Sequence, residues 1–407
     1  MSTAITSVDI DLDLHADGAT ATAGAAPVSA GAFAGAAPWS PVDFQRPVHA
    51  LLGLPVDAVG LAAAVDRVRE AAFLGTPCMV STPNLNFAMG ARSDAPFRES
   101  VATSDLSLAD GMPLVWVARL LGVPVRQRVS GAGLFEALAD HPAPPIDVFF
   151  FGGPDGAAHA ACRRVNETAQ GLHCVGFAAP GFGSVDQLSA DAYLSRINAC
   201  RPQFVVAALG AKKGQEWLQR NRHRLAAPVR CHLGAVINFA AGTLRRAPRW
   251  LQRAGLEWLW RITQEPALWR RYATDGLAFL GVLAFGVLPL AIARGTGRLP
   301  DDAWDRATLA QQHAGDTWTL MLGGPWGARN LQPLRDVLAR AQSEGVARVR
   351  LVMRDATHVD SAFIGLLMIA PRAFAHGVEW VDTPRRIART LRLHRAGWLL
   401  APRSAHA

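Results

Sequence analysis

From Val48 onward the apolar positions follow two alternating periods. Runs such as "PCMVST", "LSLAD", "PIDVFFFGG", "LHCVGFAAPGFG" and "PQFVVAALG" are short and almost continuously apolar, as strands buried on both faces are. Between them, "DAVGLAAAVDRVREAAFLG", "APFRESVATSD", "PLVWVARLLG", "GAAHAACRRVNETAQG" and "SADAYLSRINAC" repeat at helical spacing. Regular strand–helix alternation predicts an α/β fold with a parallel sheet covered on both faces. In such sheets ligands bind beyond the carboxyl ends of the strands. Three strands close there on groups a core has no use for: Thr82 and Asn84, then Asp110 with Gly111, then Gly152 with Gly153. A Thr-Pro-Asn stretch also serves as a turn and helix cap, and Asp-Gly as a plain turn. Their joint placement at strand ends predicts one shared crevice. The glycine pair would let bare backbone N–H groups approach a phosphate or ribose.

The pattern changes along the rest of the chain. Residues 1–46 are rich in Ala, Gly, Ser and Thr and read as a disordered tail without the basic start and apolar run of a signal peptide. Its "DIDLD" (Asp9 to Asp13) imitates a metal motif but lacks a packed frame to hold carboxylates rigid. Residues 245–271 hold Arg245, Arg246, Arg249, Arg253, Arg261, Arg270 and Arg271 against Glu257 and Glu265. Pro248 suits a helix first turn, after which Arg249, Arg253, Glu257 and Arg261 recur every four residues beside Trp250, Leu251, Trp258 and Ile262. Guanidinium groups beside indoles suit a helix at a phosphate headgroup layer, and equally an ordinary solvated amphipathic helix. Next, residues 276–293 carry no charge. Their length is at the lower limit for a membrane span, and Pro289 and the glycines weaken one, so an interfacial or re-entrant anchor is expected ahead of a buried helix, an oligomer contact or a true span. "RGTGRLPDDAWDRATLAQQHAG" reads as a polar linker. From Asp316 the alternation resumes: strand "DTWTLMLGG", helix "NLQPLRDVLARAQSEG", strand "ARVRLVMRD", helix "SAFIGLLMIAPRAFAHG", strand "VEWVD" and helix "PRRIARTLRLHRAGW". The predicted organisation is a tail (1–46), a first α/β domain (47–272, with 245–272 as an Arg/Trp-rich appendage), an apolar segment and linker (273–314) and a second, small α/β domain (315–403).

Composition adds little to the choice of partner. The formal charge of +8 comes from 41 basic and 33 acidic residues, and all basic residues but Lys212 and Lys213 are arginine. That bias resembles codon usage more than a polyanion footprint, and no nucleic-acid partner is expected. Cys78, Cys162, Cys174, Cys200 and Cys231 show no CxxC spacing. They read as reduced, buried thiols of a cytosolic protein, without a zinc ribbon or disulfide scaffold.

"TPN", "LADGMPLVWVARLLG", "RVSG", "FFFGGPDGAA", "PGFG", "LGAKKGQEWL", "GAVINFAAGTLRRAPRW" and "GLEWLWRITQEP" occur in the order found in the WecG/TagA/CpsF glycosyltransferases, which residues 50–272 resemble. The resemblance implies a Rossmann-like domain. It implies inverting transfer of a sugar from a UDP-sugar to a polyprenyl-diphosphate-linked sugar at the cytoplasmic face of the inner membrane, without metal or other cofactor, in cell-surface or exopolysaccharide synthesis. It implies Asp110 as catalytic base, Thr82 and Asn84 as active-site partners, and Gln215 near the nucleotide. Gly152 and Gly153, with Arg246, Arg261, Arg270 and Arg271, are the candidate substrate-binding groups, because positive donors stabilise a leaving diphosphate. The chain departs from the family in "GAKKGQE", which is one residue longer than the usual motif and lacks its Pro, and in Asn238 and Gly133, where many members have Asp. The segment "RDATHVDSAFIGLL" and the element order around it resemble a STAS domain, which implies docking of a protein partner or regulation. Ala362 stands at the position usually phosphorylated there, and Ser361 reads as a helix cap. The expected protein is a peripheral or monotopic glycosyltransferase with a STAS module. The rival is a catalytically silent adaptor that senses nucleotide sugar.

Overall fold

A computed structural model describes residues 41–401 except 143 and 298. The Asp9–Asp13 sequence lies outside the described residues. The chain enters through a hairpin of β1 (Val48–Leu51) and β2 (Leu54–Asp57), paired antiparallel and buried along its whole length. There follow β3 (Cys78–Ser81), β4 (Leu106–Ser107), β5 (Ile146–Gly152), β6 (Leu172–Ala178), β7 (Phe204–Ala208) and β8 (Val229–His232). These six form one sheet in the order β4-β3-β8-β7-β5-β6, every pair parallel. The expected parallel architecture is therefore present. Its apolar runs divide by strand alternation. Val148 and Phe150 of β5 face a cluster with the helices Leu61–Leu74, Gly131–Ala139 and Ala157–Thr168. Phe149 and Phe151 face another with Asp191–Ala199 and Ala211–Arg220, where Trp217 stacks 4.5 Å from Phe151.

A second sheet follows, in the order β12-β11-β10-β9, from β9 (Thr308–Ala314), β10 (Thr317–Trp326), β11 (Arg348–Val359) and β12 (Val378–Val381). β9 pairs antiparallel with β10, and the other neighbours are parallel. The stretch read as a linker therefore supplies an edge strand. Its side chains are mostly exposed, so the apolar signal that marks the inner strands is missing. The helices Gln332–Ser343, Ser361–Ile369 and Arg385–Leu393 fall where the pattern placed them.

The C-terminal sheet shares its core with the entry segment and the β1–β2 hairpin, while the six-strand sheet packs in clusters of its own. Val42, Phe44, Val48 and Ala50 belong to the same buried cluster as Leu351, Phe363 and Leu367 of the C-terminal module. Residues 41–46, expected to be tail, are thus packed in place: Phe44 and Phe374 stack at 6.4 Å, and the backbone N–H of Val42 donates to Gln342 Oε1 at 2.8 Å. Arg46 is wholly buried and forms a two-pronged pair with Asp57 (2.6 and 3.1 Å). Desolvation pulls the Arg46 pKa down, but the carboxylates of Asp57, Asp105 and Asp43 together outweigh it and the net shift is upward. Removing either partner of a pair so placed would leave the other as an uncompensated buried charge and be strongly destabilising. Ser361 Oγ lies 3.1 Å from His49 Nδ1 of the hairpin, and the helix cap is Asp360, whose carboxylate accepts from Ala362 and Phe363 N–H. Cys162 and Cys174 form a disulfide, contrary to the expectation of thiols throughout, while Cys78, Cys200 and Cys231 are free. The pairing joins a helix to the neighbouring strand, a proximity that spacing along the chain does not reveal.

The arginine-rich appendage also differs from expectation. It is not one helix: Arg249–Arg253 ends at Gly255, whose φ of 76° turns the chain into a second helix, Glu257–Gln264. The four-residue stripe is thereby broken. A long apolar helix then runs from Leu268 to Gly295 through a π-helical turn, Leu283–Val287, directly before Pro289. One side, through Val282 and Val287, packs on the first domain.

Candidate active site

The carboxyl ends of β3 and β4 bring the polar clusters together. Beyond β4 the ladder continues: Leu108 N–H donates to Ser81 O and Asp110 N–H to Pro83 O, each at 2.8 Å. On the other side Val129 N–H donates to Ala109 O at 2.9 Å, which lays the "RVSG" segment beside Asp110. The N–H of Gly131 then points at Asp110 Oδ2 from 3.5 Å. A side chain at 131 would place Cβ 2.5 Å from Leu233 Cδ2 and 3.4 Å from Thr82 Oγ1, so the glycine brings its backbone close to Thr82 and the end of β8 without displacing Leu233. Asn84 caps the helix Leu85–Gly90 by accepting from Phe87 N–H at 3.1 Å, the local role its sequence setting also allowed. It still borders the Asp110–Gly111 turn, its Cβ lying 3.9 Å from where a Gly111 Cβ would stand.

Charge surrounds Asp110 on several sides. Desolvation raises its pKa to about 6, and the Glu257 carboxylate adds to the rise. The Arg128 guanidinium, the Gly131 N–H and Arg246 oppose it without cancelling it. Arg128 is held by Glu257, the first residue of the second appendage helix. Arg246 stands between Glu136 at 2.8 Å and Glu257 at 3.6 Å, with its guanidinium 5.7 Å from the Phe239 ring. A carboxylate titrating near neutrality, with two guanidinium groups at hand, is equipped to take a proton while an anion is held nearby. Arg128 was missing from the residues singled out by sequence. It opens the "RVSG" motif, and that position was the signal that marked it.

The other expected groups divide. Gly152 and Gly153, at φ 95° and 93°, turn the chain at the end of β5, where Gly153 N–H donates to Ala208 O at 3.0 Å. β5 is three strands from β3, about 14 Å along the same edge. Gln215 does not line this edge: it is fully buried, donates to Ser81 Oγ at 2.9 Å, and so supports the residue preceding Thr82. Its helix, Ala211–Arg220, is strongly amphipathic, and position 215 falls on the buried side. Arg261 pairs with Glu265 of its own turn at 2.6 Å. Arg270 and Arg271 lie over Trp269 and Tyr272 at 5.8 and 5.2 Å. These three have no contact with the Asp110 group among the described residues. His232, at the end of β8, is buried with Nε2 lacking a hydrogen-bond partner among the described residues, and desolvation lowers its pKa to about 4, so it is neutral at physiological pH. Among the described residues, no three His, Cys, Asp or Glu side chains are grouped to hold a metal ion.

The profile of the Glycosyl transferase WecG/TagA/CpsF family matches residues 49–289, more than half of the chain and all of the edge just described. Proteins named N-acetylglucosaminyldiphosphoundecaprenol N-acetyl-beta-D-mannosaminyltransferase are similar to this chain. The one from Bacillus spizizenii is 28% identical over 193 residues, 47% of this chain and 73% of its own length. The Bacillus subtilis protein is 25% identical over 194 residues, 47% of this chain and 74% of its own. The Staphylococcus aureus protein is 21% identical over 224 residues, 54% of this chain and 85% of its own.

Proposed function

The chain belongs to the WecG/TagA/CpsF glycosyltransferase family, and on that premise we propose that it moves a sugar from a UDP-sugar to a sugar on a polyprenyl diphosphate, with Asp110 as general base. The observation that carries this reading is the Asp110 carboxylate, raised to about 6 at the carboxyl edge of the sheet, where it accepts from Gly131 N–H and feels the charges of Arg128 and Arg246. In the step, the acceptor hydroxyl attacks the anomeric carbon of the donor as its proton passes to Asp110. The bond from that carbon to the diphosphate oxygen breaks, and UDP leaves with the electron pair. Attack opposite the leaving group inverts the anomeric centre. Arg128 and Arg246 would meet the departing diphosphate by exchanging their carboxylate partners for phosphate oxygens. Thr82 and Asn84 border the place where the acceptor hydroxyl must stand, and the Gly152–Gly153 turn suits the nucleotide end. The acceptor class is supported by the relatives' names, and such a lipid places the reaction in cell-surface polysaccharide synthesis.

The substrate's lipid tail calls for a membrane surface, read here as the cytoplasmic face of the inner membrane. The exposed side of the Leu268–Gly295 helix, with Trp250, Trp258 and Trp269 on the elements leading into it, suits that contact. Arg270 and Arg271 at its start suit phosphate headgroups. The helix packs along the protein by one side, which supports an interfacial anchor over a crossing. The C-terminal module is read as STAS-like on its element order, with its Ser361 helix docked within the chain on the β1–β2 hairpin.

The test is Asp110→Asn, assayed with UDP-N-acetylmannosamine and undecaprenyl-diphosphate-linked N-acetylglucosamine and then with other UDP-sugars. Loss of a general base lowers turnover by about 100- to 10,000-fold. In the parent, activity should decline as pH falls through about 6, where Asp110 takes up its proton. A pKa raised by folding means that stability present with the neutral acid at low pH is lost as pH rises through about 6. The Asn variant should therefore melt no lower than the parent at pH 7.5. Turnover within about threefold of the parent would remove Asp110 from the role.

A further inference from the structure

Edge strand β4 has a two-residue ladder and a single strand neighbour, β3. Within the sheet, the segment from Asp105 to Asp110 is therefore held on one side only, its far end being held on the other by the loop bond from Val129 N–H to Ala109 O. The amino-terminal ends of both strands are tied to one carboxylate. Asp105 Oδ2 accepts from Met79 N–H at 2.8 Å, and Asp105 N–H donates to Met79 O at 2.8 Å. The other oxygen, Oδ1, accepts from Arg372 Nη2 at 2.6 Å, and Arg372 Nη1 donates to the carbonyl of Thr103. The two side chains are only 7% and 10% exposed. Arg372 belongs to the C-terminal module, in the 3-10 turn Ala370–Ala373 that follows the buried Ser361–Ile369 helix. The module also presses on the β1–β2 hairpin, whose Asp57 and Pro55 bind the N–H and hydroxyl of Ser107 on the open side of β4.

We infer that Arg372 is a positioning residue for the transfer reaction, by which the C-terminal module fixes the two strands that present Thr82 and Asp110. From Met79 to Thr82 is about 10 Å of extended chain, and from Asp105 to Asp110 about 17 Å. Segments this short, close-packed on both faces, pass a displacement at one end to the other. The inference rests on the reading of Asp110 as base. It gives the module a part in turnover that needs no second protein.

The experiment uses the full chain. Arg372→Met keeps the stem and removes the guanidinium. A base misplaced by less than 1 Å lowers kcat by about 10- to 100-fold, while donor KM should stay within about twofold, because the groups assigned to the nucleotide end lie on other strands. Amide hydrogen exchange should quicken at Met79, Asp105 and Asp110. Ser361→Ala, which removes a hydrogen bond from the same interface without touching β3 or β4, should leave kcat within about twofold. Should Arg372→Met fail to fold, Arg372→Lys, which keeps the charge but has one point of contact, must show the same separation of kcat from KM. Unchanged kcat in a folded Arg372 variant would overturn the inference, as would equal kcat losses in the Arg372 and Ser361 variants in step with their melting temperatures. Failure of the base reading would show separately, as turnover retained by Asp110→Asn.

Discussion

Two apolar helices of this chain have opposite surroundings. Ser361–Ile369 has every residue but Ser361 buried, with its own sheet on one side and the hairpin of the first domain on the other. Leu268–Gly295 is 28 residues long, yet Leu277 and Phe285 are 74% and 79% exposed. Apolar composition thus says that a helix will be covered and not by what. The covering is written in other residues. At Gly365 an added Cβ would stand 2.7 Å from the His49 backbone, so the short helix is cut to fit a neighbouring chain segment. The long helix has arginines and indoles at its start and no comparable fit along its outer side.

The largest expected effect that sharpens this contrast is at Phe363, fully buried and edge-on to Trp380 at 6.3 Å. Phe363→Ala should cost about 3–5 kcal/mol by denaturant unfolding, and a loss below about 1 kcal/mol would mean the helix is far less confined than its burial implies. Gly365→Ala should cost about 1–3 kcal/mol, because backbone cannot move aside as a flexible side chain can. If it is neutral, the hairpin and the helix are not in fixed contact. The outer face should behave in the reverse way. A triple Leu277→Ser, Leu280→Ser, Phe285→Ser variant should change stability by no more than about 0.5 kcal/mol, yet lose most of its sedimentation with vesicles containing phosphatidylglycerol. Unchanged sedimentation would point to another cover for this face, and a changed association state to a second copy of the chain.

Much of this was legible in the sequence because apolar runs with helical spacers leave few choices of architecture. The inner strands β5 and β7 and most helices stand where their patterns placed them. What escaped notice was hidden by polar residues in apolar settings. β8 reads "VRCH", and both Arg230 and His232 are buried there, so the central strand lacked the mark of its neighbours. The β1–β2 hairpin and residues 41–46 were hidden because their partners lie some three hundred residues away. At the site, the strand-end placement of Thr82, Asn84 and Asp110 was readable. The pairing of Arg128 with Glu257 was not, because it joins a loop to an appendage across 129 residues. Gln215 was read as near the nucleotide, and its burial against Ser81 depends on a helix orientation that one polar residue does not reveal.

The hydrogen bond between Val42 and Gln342 spans 300 residues of chain. Its meaning is one of timing. A ribosome adding about 5–20 residues per second takes roughly 15–60 seconds to travel that distance, and over that interval Val42, Phe44 and the hairpin have been made but lack their lid. A nascent chain stalled before Gln332 should thus be cleaved by protease around residues 41–57, and the released chain should resist. Protection of the stalled chain would show that the hairpin closes without the module. On this schedule the strand pair that carries Asp110 is set last, and synthesis that stops early yields a protein whose first strands remain uncovered.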